Sequence, residues 1–436
     1  MKTTLHYAIM GLPLLMVGDN LLTMAFSPQQ RRVTNVMRTT HRIPGRLPLS
    51  EHHHDSSRLS MSSDEESPPS SANTELEGRL ERTDLKGATR MLKEGNWDLT
   101  RETYRKIFYA VEERTRQENI DASQVNMRAL EQEQLQRLME YPLESPARME
   151  MTDLYQTLQT KNELQVFGAC GNSPIGPNKH LPAEGSKIVT PNLLETITGL
   201  SMVALTPQPT NSLLLAGVGL ALLEGLTSVV TGIDINVLII ATLLFALLDQ
   251  VLVSGAVFET AIKIVQPNVN QKILRHEAGH FLCAYLLGCP VEGCVLSSWV
   301  ALKDSRFGGR QNAVSAGTSF FDPELSAQVN GKQPLSRSSI DRYSIIVMGG
   351  IAAEASYFGR ADGGAGDEMA LVQFLSNINP RGGGALTWTP ESIKNQARWG
   401  ALQAVLLLRQ YQPSYDALVD ALERGGELGD CIYAIE

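Results

Sequence analysis

Residues 271–288 read QKILRHEAGHFLCAYLLG, and this stretch decides how the second half of the chain is interpreted. Its apolar residues recur three and four positions apart, which is the spacing of a helix with a broad apolar face. Gly288 and Pro290 follow the last apolar residue, and glycine followed by proline is a common helix stop. The stretch therefore predicts a helix that ends at this point.

His276, Glu277 and His280 stand on that helix in the pattern H-E-x-x-H. Residues four positions apart lie one turn apart on the same helix face, so both imidazoles can reach one zinc ion. Glu277 can reach a water on the zinc without binding the metal itself, and can take the proton of that water. The pattern predicts a zinc site with Glu277 as general base. The alternative is a pair of core histidines, because H-E-x-x-H also arises by chance.

A catalytic zinc site has three protein ligands and one open position, so a third ligand must lie elsewhere. Residues 345–355 predict a helix packed closely through small residues, and a glycine-rich turn follows it. Asp367 ends this turn and opens the next helix. The residues alone leave two roles open for Asp367, a metal ligand or an acid that stabilises the first helical turn.

From residue 271 to its end, the chain resembles the peptidase domain of the FtsH-type zinc metalloproteases. In that family an H-E-A-G-H helix is followed by a G-G-R-x-A-E-E helix and a T-T-G-A-S-x-D-L turn, whose aspartate is the third zinc ligand. The first motif is met by His276, Glu277 and His280. The second is matched by Gly349, Gly350, Ala353 and Glu354, with Ile351 and Ala355 replacing the arginine and the last glutamate. The resemblance implies that Asp367 is the third ligand.

FtsH proteins carry an ATPase module ahead of the peptidase, but this sequence contains no G-x-x-x-x-G-K-[ST] phosphate loop. Two apolar stretches stand ahead of residue 271 instead. The chain therefore resembles most the plastid FtsH-like membrane proteins of plants and algae, which join membrane helices directly to a peptidase-like domain. ATP-driven unfolding is not part of what this resemblance implies.

The two apolar stretches, residues 212–231 and 237–258, are each near the length of about 20 residues that a membrane-spanning helix needs. Each carries one acidic residue, Glu224 or Asp249, and a carboxylate at mid-depth costs a few kcal/mol. Two interpretations remain: a membrane hairpin whose carboxylates face the partner helix, or two core helices of a soluble domain. Residues 193–205 form a shorter apolar segment, predicted to be re-entrant or interfacial.

Residues 1–59 are predicted to be a signal followed by a transit-like presequence. The apolar stretch at 7–17 has the length of a signal-peptide core, and residues 26–50 contain five arginines and no acidic residue. The junction of Ala25 and Phe26 resembles the signal-plus-transit presequences of algae with complex plastids. A plastid membrane, chloroplast or thylakoid, is therefore the predicted location. The alternative is a secreted protein with a basic tail.

The remaining sequence predicts a mostly α fold. Its parts are, in order, a disordered linker (60–75), a helical soluble region (76–190), membrane helices (191–265) and a mainly helical FtsH-like zinc peptidase domain with a small β element (268–436). Within the last part, residues 295–316 are predicted to form strands whose edge could hold a substrate backbone. Residues 322–338 are predicted to be a mobile loop over the site.

Composition restricts the partners. A formal net charge of -9 argues against nucleic acid, because phosphate contacts need a basic excess. The 5 cysteines form no C-x-x-C pair, which argues against a disulfide framework or a cysteine-zinc module. The predicted partners are membrane-associated or unfolded protein substrates, membrane lipid, and further copies of the chain or other FtsH-like subunits.

Three functions are open at this point. The first is a membrane-anchored zinc metalloendopeptidase without its own ATPase module, which the intact His276, Glu277, His280 and Asp367 favour. The second is a catalytically silent FtsH-like scaffold or assembly subunit in plastid membranes, which the missing ATPase and Ile351 favour. The third is an intramembrane site-two-type protease, which would need an L-D-G segment that this sequence lacks.

Overall fold

The fold is that of a computed structural model. The structure describes residues 71–95, 97, 99–128, 145–170, 188–208, 211–253, 255–266, 268–307, 316–329, 332–378 and 388–436. The predicted presequence (1–59) lies outside these residues, as does residue range 60–70 of the predicted linker. Residues 71–75, the end of that linker, belong to the first helix.

Helices dominate the described residues, which confirms the predicted mostly α fold. Ahead of the H-E-x-x-H helix are α1 (Ser71–Glu81), α2 (Leu85–Glu94), α3 (Arg101–Arg128), α4 (Pro146–Thr160), α5 (Pro191–Thr198), α6 (Asn211–Thr231), α7 (Ile235–Val253) and α8 (Ala256–Val265). From that helix onward follow α9 (Asn268–Leu286), β1 (Val291–Val295), α10 (Ser298–Ala301), a 3₁₀ turn (Ser305–Phe307), β2 (Gly317–Phe320), α11 (Pro323–Val329), α12 (Arg337–Val347), α13 (Gly349–Phe358), α14 (Ala365–Ile378), α15 (Pro390–Gln410), α16 (Gln412–Glu423) and α17 (Leu428–Ile435).

Local sequence explains where these helices begin and end. In α4, α5 and α15 the first residue is proline and the residue before it is serine or threonine. That hydroxyl accepts the backbone N–H of the third helical residue, which satisfies a donor that has no partner inside the helix. At the other end of α9, Gly288 has a left-handed φ of 76° and the chain leaves the helix. The predicted helix stop is confirmed.

The N-terminal helices share one hydrophobic core with the C-terminal ones. The ring of Phe167 lies 4.9 Å from that of Tyr155 on α4 and 5.1 Å from that of Tyr285 on α9. On the same side of the molecule, the guanidinium of Arg148 on α4 pairs with Glu292 of β1, whose side chain is fully buried. The described residues between 71 and 170 are therefore part of the body that carries α9.

Helices α6 and α7 project most of their apolar side chains outward. Within the described part of the chain, Ile235–Val253 is the one helix long and apolar enough to cross a membrane, and 6% of it is buried. Gly217–Thr231 is apolar but shorter. The exposure contradicts the alternative that these are core helices of a soluble domain. The second predicted segment, 237–258, also ends earlier than expected, because α7 stops at Val253.

The two carboxylates of these apolar helices have different roles. Glu224 on α6 accepts a hydrogen bond of 2.6 Å from the hydroxyl of Thr242 on α7, as predicted for a carboxylate facing its partner helix. Asp249 does not face α6. Its oxygens accept the backbone N–H groups of Val257 and Phe258 at 3.0 and 3.1 Å, so it caps the N-terminus of α8. The prediction for Asp249 is wrong, because a helix N-terminus is a closer source of donors.

The predicted interfacial segment 193–205 and the predicted mobile loop 322–338 are both anchored to the core. In the first, Leu194 and Leu205 are fully buried. In the second, residues 323–329 form α11, and Asp322 pairs at 3.0 Å with the fully buried Arg342 of α12. An ion pair that is removed from water keeps its geometry only if both partners are held, which orders this segment.

The β element is a two-stranded antiparallel sheet in which Cys294 of β1 pairs with Thr318 of β2. The strands flank the stretch 295–316 in which they were predicted, and its residues 308–315 lie outside the described part of the chain. The sheet places β2 beside the middle of α9, where the candidate site lies.

Candidate metal centre

Glycines let α13 lie directly against α9. A Cβ added to Gly279 of α9 would lie 2.7 Å from the Cβ of Ala353, closer than real Cβ contacts allow. A Cβ added to Gly350 of α13 would overlap the imidazole of His276. The small residues between and opposite the two histidines are therefore what allows α13 to approach the site, and only glycine fits at residue 350.

The structure brings His276, His280 and Asp367 together. The Nε2 atoms of the two histidines are 3.0 Å apart, and Oδ2 of Asp367 lies 2.9 Å from Nε2 of His276 and 3.4 Å from Nε2 of His280. Ligands at about 2.0–2.1 Å from a tetrahedral metal are about 3.3 Å from one another, so this triangle has the size of a metal site. The three residues could hold a metal ion.

The other ring nitrogen of each histidine is already engaged. Nδ1 of His280 lies 2.7 Å from the backbone carbonyl of Ile346, which can only accept, so that nitrogen carries the proton. Nδ1 of His276 lies 2.7 Å from a carboxylate oxygen of Glu354 and donates to it in the same way. With Nδ1 engaged, Nε2 of each ring is the nitrogen that can bind a metal in place of a proton, an arrangement typical of metal-bound histidines.

Glu354 is itself held in place by the turn that leads to Asp367. Its second oxygen accepts the backbone N–H groups of Asp362 at 2.9 Å and of Gly363 at 3.2 Å. Burial raises the pKa of Glu354, but its hydrogen bond with His276 more than offsets this and lowers the pKa below the usual range. In the sequence, Glu354 only matches the second FtsH motif. An acid within a helix of small residues was the available signal that this side chain has a partner.

The electrostatics of the triangle favour positive charge at its centre. Burial lowers the pKa of His276, but hydrogen bonds with Asp367 and Glu354 outweigh burial and raise the pKa to about 10. Burial raises the pKa of Asp367, whereas the charge of His280 and hydrogen bonds from both histidines lower it far below the usual range. Three lone-pair atoms this close repel one another unless a proton or a metal cation lies between them.

Glu277 lies beside this triangle and does not belong to it. Its side chain is buried, and Oε2 accepts a hydrogen bond of 3.0 Å from the hydroxyl of Thr318 on β2. Burial raises the pKa of Glu277 above its ordinary value, mainly by disfavouring the charged form. Thr318 is a site residue that sequence reasoning missed, since nothing in the sequence indicates which strand residue faces α9.

No family model, curated protein or solved structure matches this chain. The chemistry of the site therefore rests on its own geometry. That geometry provides three candidate metal ligands, a carboxylate that orients one of them, and a second buried carboxylate, Glu277, beside them.

Glu368, the residue after Asp367, gives a prediction for pH-dependent stability. It is 2% exposed, its Oε1 has no hydrogen-bond partner among the described residues, and burial raises its pKa to about 7. The carboxyl of Glu368 ionises at a lower pH in the unfolded chain than in the folded chain. Its buried, protonated form therefore contributes stability that is fully present below about pH 4.5 and is lost as the pH rises to about 7. The stability change caused by Glu368→Gln is compared at two pH values. It is expected to be more favourable at pH 8 than at pH 4, by roughly 2–3 kcal/mol in the free energy of unfolding.

Thermal or denaturant unfolding of both proteins at pH 4 and pH 8 measures this difference. Glu195→Gln, at an exposed position on α5, is the matched control and should change stability equally at both pH values. An equal effect of Glu368→Gln at the two pH values would show that the carboxyl is not protonated in the folded chain.

Proposed function

We propose that the chain is a membrane-anchored zinc metalloendopeptidase, FtsH-like in its peptidase domain and without an ATPase module of its own. The observation that carries the proposal is the convergence of His276 Nε2, His280 Nε2 and Asp367 Oδ2 beside the buried Glu277. A site with two imidazoles and one carboxylate suits zinc, and it leaves a fourth position open for substrate or water.

The chain's own residues then have separate tasks. Zinc held by His276, His280 and Asp367 would supply a Lewis acid for the scissile carbonyl and would make water acidic near pH 7. Glu277 takes the proton of the attacking water and delivers it to the leaving amine. The Thr318 hydroxyl holds Oε2 of Glu277 and leaves its other oxygen for that proton.

The edge of β2 is the proposed substrate-binding strand. Within the described residues β2 pairs with β1 on one side, so its second edge can accept an extended peptide. Thr318 lies on β2 and contacts Glu277, so a peptide added along this edge passes beside the general base. Without an unfolding ATPase, the proposed substrates are membrane-associated or unfolded proteins.

The proposed membrane anchor is the pair α6 and α7. Its support is the outward apolar surface of both helices and the hydrogen bond between Glu224 and Thr242, which satisfies a carboxylate that would otherwise face lipid. The H-E-x-x-H helix α9 is a different, largely buried helix, which argues against the intramembrane protease alternative. A plastid membrane and assembly with other FtsH-like subunits are part of the proposal and rest on the sequence resemblance.

Zinc content of the full-length chain purified in detergent tests the proposal. We expect about one zinc per chain, lost in His276→Ala and in Asp367→Ala, because removing one of three ligands leaves too few donors. Asp420→Ala, an exposed carboxylate on α16, is the control and should keep the metal. A folded wild-type chain without zinc would contradict the peptidase and favour the catalytically silent scaffold.

A further inference from the structure

Helix α8 exposes its apolar side, whereas a helix at a water-facing surface buries that side against the protein. Val257, Phe258, Ala261 and Ile264 all point outward, and the side chain exposure reaches 55% for Phe258 and 78% for Ile264. Ala261 and Ile264 follow Val257 by four and seven residues, and Ala261 follows Phe258 by three, so the four positions share one broad face of the helix. A helix at an aqueous surface places charged residues on that face instead.

The charged residues of α8 are turned toward the protein. Glu259 accepts a 3.0 Å hydrogen bond from the backbone N–H of Ser298 at the start of α10, and it also forms an ion pair with Lys263. The ammonium of Lys263 donates to the carbonyl of Leu296 at 3.3 Å. Both charges are therefore satisfied inside, and the outward orientation of the apolar residues is specified by these contacts.

Helix α10 extends the same apolar surface. The indole N–H of Trp299 donates a 3.0 Å hydrogen bond to the hydroxyl of Thr260, which lies between Val257 and Ile264 on the outer face of α8. Trp299 and its neighbour Val300 are 45% and 52% exposed. We call Val257, Phe258, Ile264, Trp299 and Val300 the apolar platform. Tryptophan with an apolar body and a hydrogen-bonded N–H is the residue type that membrane interfaces favour.

We propose that the apolar platform lies in the interfacial layer of the membrane that α7 crosses. The argument is continuity: α7 ends at Val253, and α8 begins at Ala256 after Gly255 turns the chain with a φ of 78°. Asp249, on the last turns of α7, holds the first N–H groups of α8, so the two helices are joined rigidly. A surface fixed to the end of a spanning helix meets lipid head groups and the first part of the acyl chains.

This position limits the substrates of the proposed peptidase, and that step rests on the proposed function. Helix α9 begins at Asn268, and His276 follows eight residues later, about 12 Å along the helix. With α8 lying on the membrane, the metal centre is held close to the bilayer surface. The substrate class is therefore proteins with a flexible segment directly next to the membrane, in preference to the same segment free in solution.

Fluorescence quenching by brominated lipid tests the platform. The full chain is placed in nanodiscs of phosphatidylcholine or of its acyl-brominated form, and the emission of Trp299→Phe is subtracted from that of the wild type. We expect bromine to remove roughly half or more of the Trp299 emission, while the emission assigned by Trp97→Phe is unchanged. Quenching of Trp299 by aqueous acrylamide alone, or by neither quencher, would overturn the proposal in favour of a water-facing or protein-covered surface.

Cleavage of one flexible sequence, either fused to a membrane anchor or released from it, tests the substrate class. We expect the anchored form to be cleaved faster and at bonds near the anchor. Equal cleavage of both forms would overturn the positional restriction. The quenching measurement does not depend on zinc or activity and should be identical in Glu277→Gln. If bromine quenches Trp299 in a chain that binds no zinc, the position of the apolar platform at the membrane is supported. Only the proposed peptidase is then contradicted.

Discussion

The Glu277→Gln variant is expected to keep its zinc and to hydrolyse peptide bonds about 10²–10⁴-fold more slowly than the wild type. Glutamine has nearly the shape of glutamate and keeps a carbonyl oxygen for the hydroxyl of Thr318, so the packing against β2 persists. It cannot take a proton from water, however, and burial already makes the native carboxylate a stronger base by raising its pKa. Zinc content and the cleavage rate of an unfolded reporter protein, measured on the same preparation, give both quantities.

Two outcomes would contradict this assignment. Loss of zinc together with activity would make Glu277 a ligand, and full retention of activity would place the base elsewhere. Glu195→Gln makes the same chemical change at an exposed position and should leave both quantities unchanged. Because His276→Ala removes the metal whereas Glu277→Gln retains it, the two variants separate metal binding from proton transfer.

Local sequence predicts those site residues that lie together on one helix. His276 and His280 share a face of α9 because they are four residues apart, and this spacing holds wherever the helix packs. Asp367 is 91 residues from His276, so only the family resemblance indicated it as a ligand. Glu354 and Thr318 could be assigned no role, since the contact of each with α9 depends on how α13 and β2 pack.

Several charged residues lie in the core because another element supplies their partner. Arg148 of α4 pairs with the buried Glu292, and Glu112 of α3 pairs at 3.2 Å with Arg306. Asp322 belongs to a stretch that indicated a mobile loop, and Arg342 orders it. A charged side chain is compatible with a core when its partner is supplied by another element, and sequence patterns do not show that partner.

The Gly350→Ala variant is expected to weaken zinc binding by about 10–100-fold, although residue 350 binds no metal. A methyl group at this position would overlap the ring of His276, which must then turn or push α13 away from α9. Either movement breaks the alignment of Nε2 of His276 with His280 and Asp367, and it also strains the 2.7 Å hydrogen bond to Glu354. Competition with a zinc-binding dye measures the affinity.

Gly366→Ala is the matched control, because Gly366 lies beside Asp367 and a Cβ added there meets nothing within 4 Å. It is expected to bind zinc as the wild type does, and helix α14 should gain slightly from alanine, by up to about 1 kcal/mol. Equal zinc affinity of Gly350→Ala and Gly366→Ala would mean that α13 is not what fixes His276. A loss confined to Gly350→Ala would instead show that the metal centre depends on the close contact of α9 and α13, which the absence of a side chain at residue 350 allows.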